Sequence, residues 1–93
     1  MVREELYQNI VKRMMELRSE EDLKKNDFVI MLYLLGVLNN TEPTEIKQSR
    51  IVEFTGLSKS DVSKSINRLI SQEILSRVDD DFKFGLKINN ISN

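Results

Sequence analysis

Apolar residues recur along this chain at two different periods, and the change of period divides it into elements. From Val2 to about Arg18 the apolar positions Leu6, Tyr7, Ile10, Val11, Met14 and Leu17 fall at steps of three and four, the mark of an amphipathic helix. Ser19 to Asn26 is polar and charged and predicts a connection. Asn26 or Asp27 can cap the next helix, which runs to about Leu38. That helix is apolar on nearly every side (Phe28, Val29, Ile30, Met31, Leu32, Leu34, Leu35, Val37, Leu38) and is expected to be the most buried element. Asn39 to Thr44, with Pro43, predicts a turn or loop.

The second half has shorter elements. Ile46, a lone apolar residue among polar ones, can lead into a short strand. Gln48 to Thr55 carries Ile51, Val52 and Phe54 and predicts a short helix ended by Gly56. Ser58 and Asp61 have the spacing of a capping box with aspartate in the acidic position, so a longer helix starts there. Its buried stripe is Val62, Ile66 and Leu69 with Ile70. After Leu75 the period falls to two. Ser76-Arg77-Val78, an acidic Asp79-Asp80-Asp81, and the alternating run Phe82 to Ile88 predict a hairpin with an acidic turn. Asn89 to Asn93 is expected to fray.

Composition narrows the chemistry. The 93 residues suit one domain, and 40% hydrophobic with 31% charged residues is ordinary for a globular protein. The chain has no cysteine and no histidine. That excludes disulfides, thiol nucleophiles and nearly all zinc chemistry, and removes the side chain best suited to proton transfer near neutral pH. No enzyme activity and no cofactor is expected. The longest apolar run, Phe28 to Leu38, is interrupted by Gly36 and falls short of the roughly 20 residues that span a bilayer. Glu4 and Glu5 stand where a signal peptide would be basic and then apolar, so the expected location is cytoplasmic.

The net charge of −1 hides a polarised distribution. Residues 1–46 carry about −3, whereas the block from Lys47 to Arg77 sets Lys47, Arg50, Lys59, Lys64, Arg68 and Arg77 against Glu53, Asp61 and Glu73, about +3. The positive block is the one that holds the two consecutive helices. In the longer of them, Lys59, Ser60, Ser63, Lys64 and Asn67 occupy the side opposite the apolar stripe. Short polar side chains let a helix sit deep in a major groove, where Lys and Asn reach phosphates or base edges. Gln48, Ser49 and Arg50 at the start of the short helix can reach a phosphate. Ile51, Phe54, Leu57, Val62, Ile66 and Leu69 are expected to bury a common face, with Gly56 permitting a left-handed turn.

The run Ser49-Arg50-Ile51-Val52-Glu53-Phe54-Thr55-Gly56-Leu57-Ser58-Lys59-Ser60-Asp61-Val62-Ser63-Lys64-Ser65-Ile66-Asn67-Arg68-Leu69 resembles the helix-turn-helix of winged-helix transcription regulators, the MarR-like and PadR-like families being nearest. The resemblance covers roughly Asp27 to Ile88. Glu73 departs from it, standing where those families usually have glycine. The acidic turn at Asp79-Asp80-Asp81 also departs, because wing tips in such families are often basic. The resemblance implies a fold that is mainly α with a small β-hairpin wing (α+β), a winged helix-turn-helix. It implies a transcriptional regulator that binds double-stranded DNA, with Arg77, Lys83 and Lys87 on a wing lying along the backbone. Small plasmid or viral proteins that bind centromeres in partition, or that initiate replication, are similar too, and so are winged-helix protein–protein adaptors. Arg68, beside the buried stripe, can pair with Glu53 or Glu73 or touch DNA.

Residues 1–20 are expected to dimerise. The apolar side of this helix, with Leu6, Tyr7, Ile10, Val11, Met14 and Leu17, is wider than the stripe of about 100° that one small domain needs. Residues 26–88 then form the winged domain, and 89–93 a tail. A homodimer would read an inverted repeat with half-sites about one turn apart.

Overall fold

Four helices and a three-stranded sheet build the fold, in a computed structural model that describes residues 3–38, 40–42, 44–79 and 84–89. Helix α1 (Arg3–Ser19) follows the period read from its sequence. Its apolar stripe points inward, and Leu6, Ile10, Met14 and Leu17 are all buried in the core. These four were expected at a dimer interface. They instead close the chain's own core, and side chains of α1 reach α2 (Lys25–Val37) at two points. The Tyr7 hydroxyl donates to the Leu35 carbonyl at 3.0 Å. Near the other end the Arg18 guanidinium sits 5.8 Å from the centre of the Phe28 ring. The two helices are therefore antiparallel.

Two helices end on a left-handed glutamate. At the end of α1, Glu21 has φ 64°, and paired bonds run from the Asp22 N–H to the Leu17 carbonyl and from the Glu21 N–H to the Arg18 carbonyl. This is the Schellman arrangement, which normally favours glycine at the left-handed position. Leu23 then drops into the core.

Helix α2 starts three residues earlier than a cap at Asp27 requires. Asp27 lies inside its first turn, and its Oδ2 accepts the backbone N–H of Lys24 at 2.8 Å. Ile30, Met31 and Leu34 face the core, but the helix is not buried all round, since Leu32 is 76% exposed and Val37 also reaches the surface.

Strand β1 (Thr44–Glu45) ends just before Ile46, and helix α3 (Gln48–Thr55) follows. Gly56 closes α3 with φ 73°, and a Cβ there would meet nothing within 4 Å, so its requirement is purely conformational. Thr55 helps shape this turn. Its hydroxyl donates to the Ile51 carbonyl and accepts the N–H of Leu57. Helix α4 (Lys59–Ser71) begins at the expected cap, where the Ser58 hydroxyl accepts the Asp61 N–H at 3.1 Å. Such a cap stabilises by about 1 kcal/mol. Val62, Ile66 and Leu69 are buried as read, and Ile51 meets them from α3.

Phe54 departs from the expected common face. It is 61% exposed and stacks on Tyr33 of α2, ring centres 5.0 Å apart. The short α3 has room for one fully buried residue, Ile51, and the rotation that buries it carries Phe54 to the rim.

Helix α4 ends as α1 does. The Ile74 N–H donates to the Leu69 carbonyl and the Glu73 N–H to the Ile70 carbonyl, with Glu73 at φ 62°. Glu73 thus takes the conformation of the glycine it replaces. Strands β2 (Leu75–Asp79) and β3 (Phe84–Ile88) pair antiparallel from Leu75 opposite Ile88 to Asp79 opposite Phe84, and β1 adds to the other edge of β3. Leu75, Leu86 and Ile88 seal the core from below. Asn89, expected to fray, is held instead. Its N–H donates to the Ile74 carbonyl, its amide donates to the Glu73 carbonyl, and its Oδ1 accepts the Ser76 hydroxyl. Asp79, expected in the acidic turn, belongs to β2 instead, and Asp80, Asp81 and Lys83 lie outside the described residues. Among the described residues, no helix is long and apolar enough to cross a membrane.

Candidate nucleic-acid interface

Helix α4 presents the side opposite Val62, Ile66 and Leu69 to solvent. Lys59, Ser60, Lys64 and Asn67 are exposed there, with Ser63 half-buried between them. Ser63 is partnered. The Gln48 amide, from the first turn of α3, donates to its hydroxyl at 2.9 Å. This bond ties the start of α3 to the middle of the exposed face, so two of the expected contact residues also brace each other. Ser49 and Arg50 are exposed beside Gln48.

Arg50 lies along its own helix, 3.8 Å from the Glu53 carboxylate and 5.3 Å from the centre of the Phe54 ring. A pair this exposed contributes at most about 1 kcal/mol, so an incoming phosphate can displace it. Arg77 is exposed on β2 and, with Glu45, Ile46, Lys47 and Gln48, lines a cleft of about 400 Å³ between the strands and the start of α3. Lys47 was not singled out by sequence reasoning as a contact residue. Its only signal was membership of the positive block, and the structure sets it in the same cleft as Gln48 and Arg77.

Arg68 points away from this face. It pairs neither with Glu53 nor with Glu73 but with Asp27 of α2, which is fully buried. Nε donates to both carboxylate oxygens, at 3.1 and 2.9 Å, and Nη2 donates to Oδ1 at 2.9 Å. Nη2 also reaches the hydroxyl of Ser65, itself buried, at 3.2 Å. The hydrogen bond to Asp27 raises the Arg68 pKa, partial burial opposes this, and the charges of Asp27 and Asp61 add to it. A cation whose pKa is raised keeps its contribution to stability at all pH values below its ordinary range, so the arginine side of this pair does not titrate under physiological conditions. The residues are 41 positions apart, and nothing local in the sequence joins them.

A helix, a Gly-closed turn, a second helix with a polar and basic outer side, and a following antiparallel hairpin with a third strand define a winged helix-turn-helix protein. Residues 31–82, more than half of the 93, match the MarR family. The chain belongs to the MarR family, whose members are DNA-binding transcription regulators rather than enzymes. Comparison with curated proteins and with solved structures gave no match.

Proposed function

We propose that the chain is a homodimeric, sequence-specific regulator that places α4 in the major groove of double-stranded DNA. The observation that carries this reading is the outer side of α4: two lysines flanking short polar residues on a helix whose other side is locked into the core. Lys59 and Ser60 enter the groove near its edge, Ser63 and Lys64 lie about one turn further along, and Asn67 about two turns. Asn67 can read a base edge through its amide, and Lys64 can hold a phosphate. Gln48, Ser49, Arg50, Lys47 and Arg77 line the flank that meets the backbone. Membership of a family of transcription regulators favours this role over partition or replication initiation.

The dimer reading has a different support. Members of this family usually bind DNA as dimers. With Leu6, Ile10, Met14 and Leu17 committed to the core, Tyr7 and Val11 are the interface residues left near the surface. The apolar surplus of α1 is Val11 and Met15, 52% and 60% exposed. Met15 lines an apolar hollow of about 320 Å³ with Phe28, Arg18 and Lys25. Soluble monomers seldom leave such a patch open. Antiparallel pairing of two α1 helices about Val11 sets Glu4 of each copy opposite Arg18 of the other.

Selection of bound sequences from a random duplex pool tests the proposal. An inverted repeat with half-sites about one turn apart is expected. Asn67→Ala is expected to weaken the selected site by about 1–3 kcal/mol and relax its preference, while Lys64→Ala weakens all duplexes alike. Failure to enrich any sequence, or an Asn67→Ala protein with the wild-type preference, refutes the base-reading role.

A further inference from the structure

We infer that the Asp27–Arg68 pair is a positioning latch that sets the rotation of α4, so that Arg68 governs sequence preference without touching DNA. The inference rests on the reading of α4 as the groove helix.

Arg68 follows Asn67 directly and lies one helical turn from Lys64. Its guanidinium is gripped by both oxygens of a carboxylate that is fully buried. A planar fork on two oxygens fixes direction as well as distance, which a point charge does not. The carboxylate is itself fixed. Its Oδ2 accepts the Lys24 N–H, so the latch runs from the connection between α1 and α2 into the C-terminal half of α4. Ser65, the buried polar residue of α4, completes it from within the same helix.

Stability alone does not account for this choice. Asp27 is taken fully out of water and Arg68 partly, a loss of solvation that pairing recovers only in part, and apolar residues of similar shape often serve a core as well or better. What a pair adds over an apolar contact is a single orientation. Side chains reach roughly 5 Å from a helix axis, so a rotation of about 10° moves their ends by about 1 Å. Base-reading contacts tolerate displacements of only about 0.5 Å. Contacts between charge and phosphate are far more forgiving, so a loosened α4 loses preference before it loses general affinity.

The test separates orientation from stability. Wild type, Arg68→Lys and the double variant Asp27→Leu/Arg68→Met are titrated by fluorescence anisotropy. The probes are the duplex selected by the wild type and a shuffled duplex of the same length. Thermal unfolding is followed in parallel. Arg68→Lys keeps the charge and loses the fork; the double variant replaces the pair with apolar residues of similar size. The expected result is a cooperative fold in both, an affinity for the shuffled duplex within about threefold of wild type, and a selected-to-shuffled ratio about tenfold lower. A folded variant of either kind that keeps the wild-type ratio overturns the latch. If the double variant does not fold, Arg68→Lys decides. If the wild type itself shows no preference between the duplexes, the groove reading fails instead, which is a different outcome from preference retained after the latch is removed.

Discussion

Helices α1 and α4 each send one apolar stripe into the same core, Leu6–Ile10–Met14–Leu17 from the first and Val62–Ile66–Leu69 from the second. Judged by their buried sides they are interchangeable. Their outer sides are not. α4 shows lysines, serines and an asparagine, all short or flexible and polar. α1 shows Val11 and Met15 among charges of both signs, including an exposed Arg13–Glu16 pair at 3.8 Å. Burial explains why both helices form. The residues left over suit polyanionic DNA on one helix and an apolar surface on the other.

The sharpest way to break the comparison is to strike the stripe that both helices share. Ile10→Ala removes a fully buried side chain and is expected to cost about 2–5 kcal/mol, read as a lower midpoint in urea unfolding. A loss below 1 kcal/mol would mean that Ile10 does not belong to the core. The next largest effect is expected from the outer side of α1. Val11→Glu with Met15→Glu touches exposed positions, so the fold should survive within about 0.5 kcal/mol per site. Sedimentation should then give a monomer where the wild type is a dimer at tens of micromolar. Binding to the selected inverted repeat should fall at least about tenfold, because each half-site alone holds weakly. A wild-type protein that sediments as a monomer removes the assignment of α1's outer side.

The smallest effect concerns the end of α4. Glu73→Gly relieves a left-handed backbone and is expected to stabilise by about 0.5–1 kcal/mol net of the extra freedom of the unfolded chain. Its backbone carbonyl, which accepts the Asn89 amide, is unchanged by the substitution. A destabilised Glu73→Gly protein would show that the glutamate side chain contributes something the turn geometry does not.

Local features of the fold were legible in the sequence because they are set by neighbouring residues. Gly56, the Ser58 cap and the stripe of α4 each depend on spacings of a few positions and appear where they were read, while the hairpin takes Asp79 of the expected turn into its first strand. Glu73 was legible as a departure, and the structure gives its physical form in a positive φ. Features that depend on distant segments were not. Periodicity located the apolar side of α1 but could not divide it between its own core and a partner, since that division is made by the segments of the core that meet it, α2 among them. The turn of α3 that places Phe54 on Tyr33 is settled by packing, as is the bond that carries Arg68 to Asp27. Asn89 was read as tail because its partners, Glu73, Ile74 and Ser76, adjoin it only once β2 and β3 have paired.

The most direct test of the central claim is the salt dependence of duplex binding. On the proposed reading, the exposed cations around α4 and the start of α3 act as a group on the phosphate backbone, and each neutralised phosphate releases counterions. If a dimer contacts some four to six phosphates, a plot of log K against log salt is expected to fall with a slope of about −4 to −5. A flat response, or no binding to duplex DNA at low salt, would contradict the assignment of the α4 face to DNA.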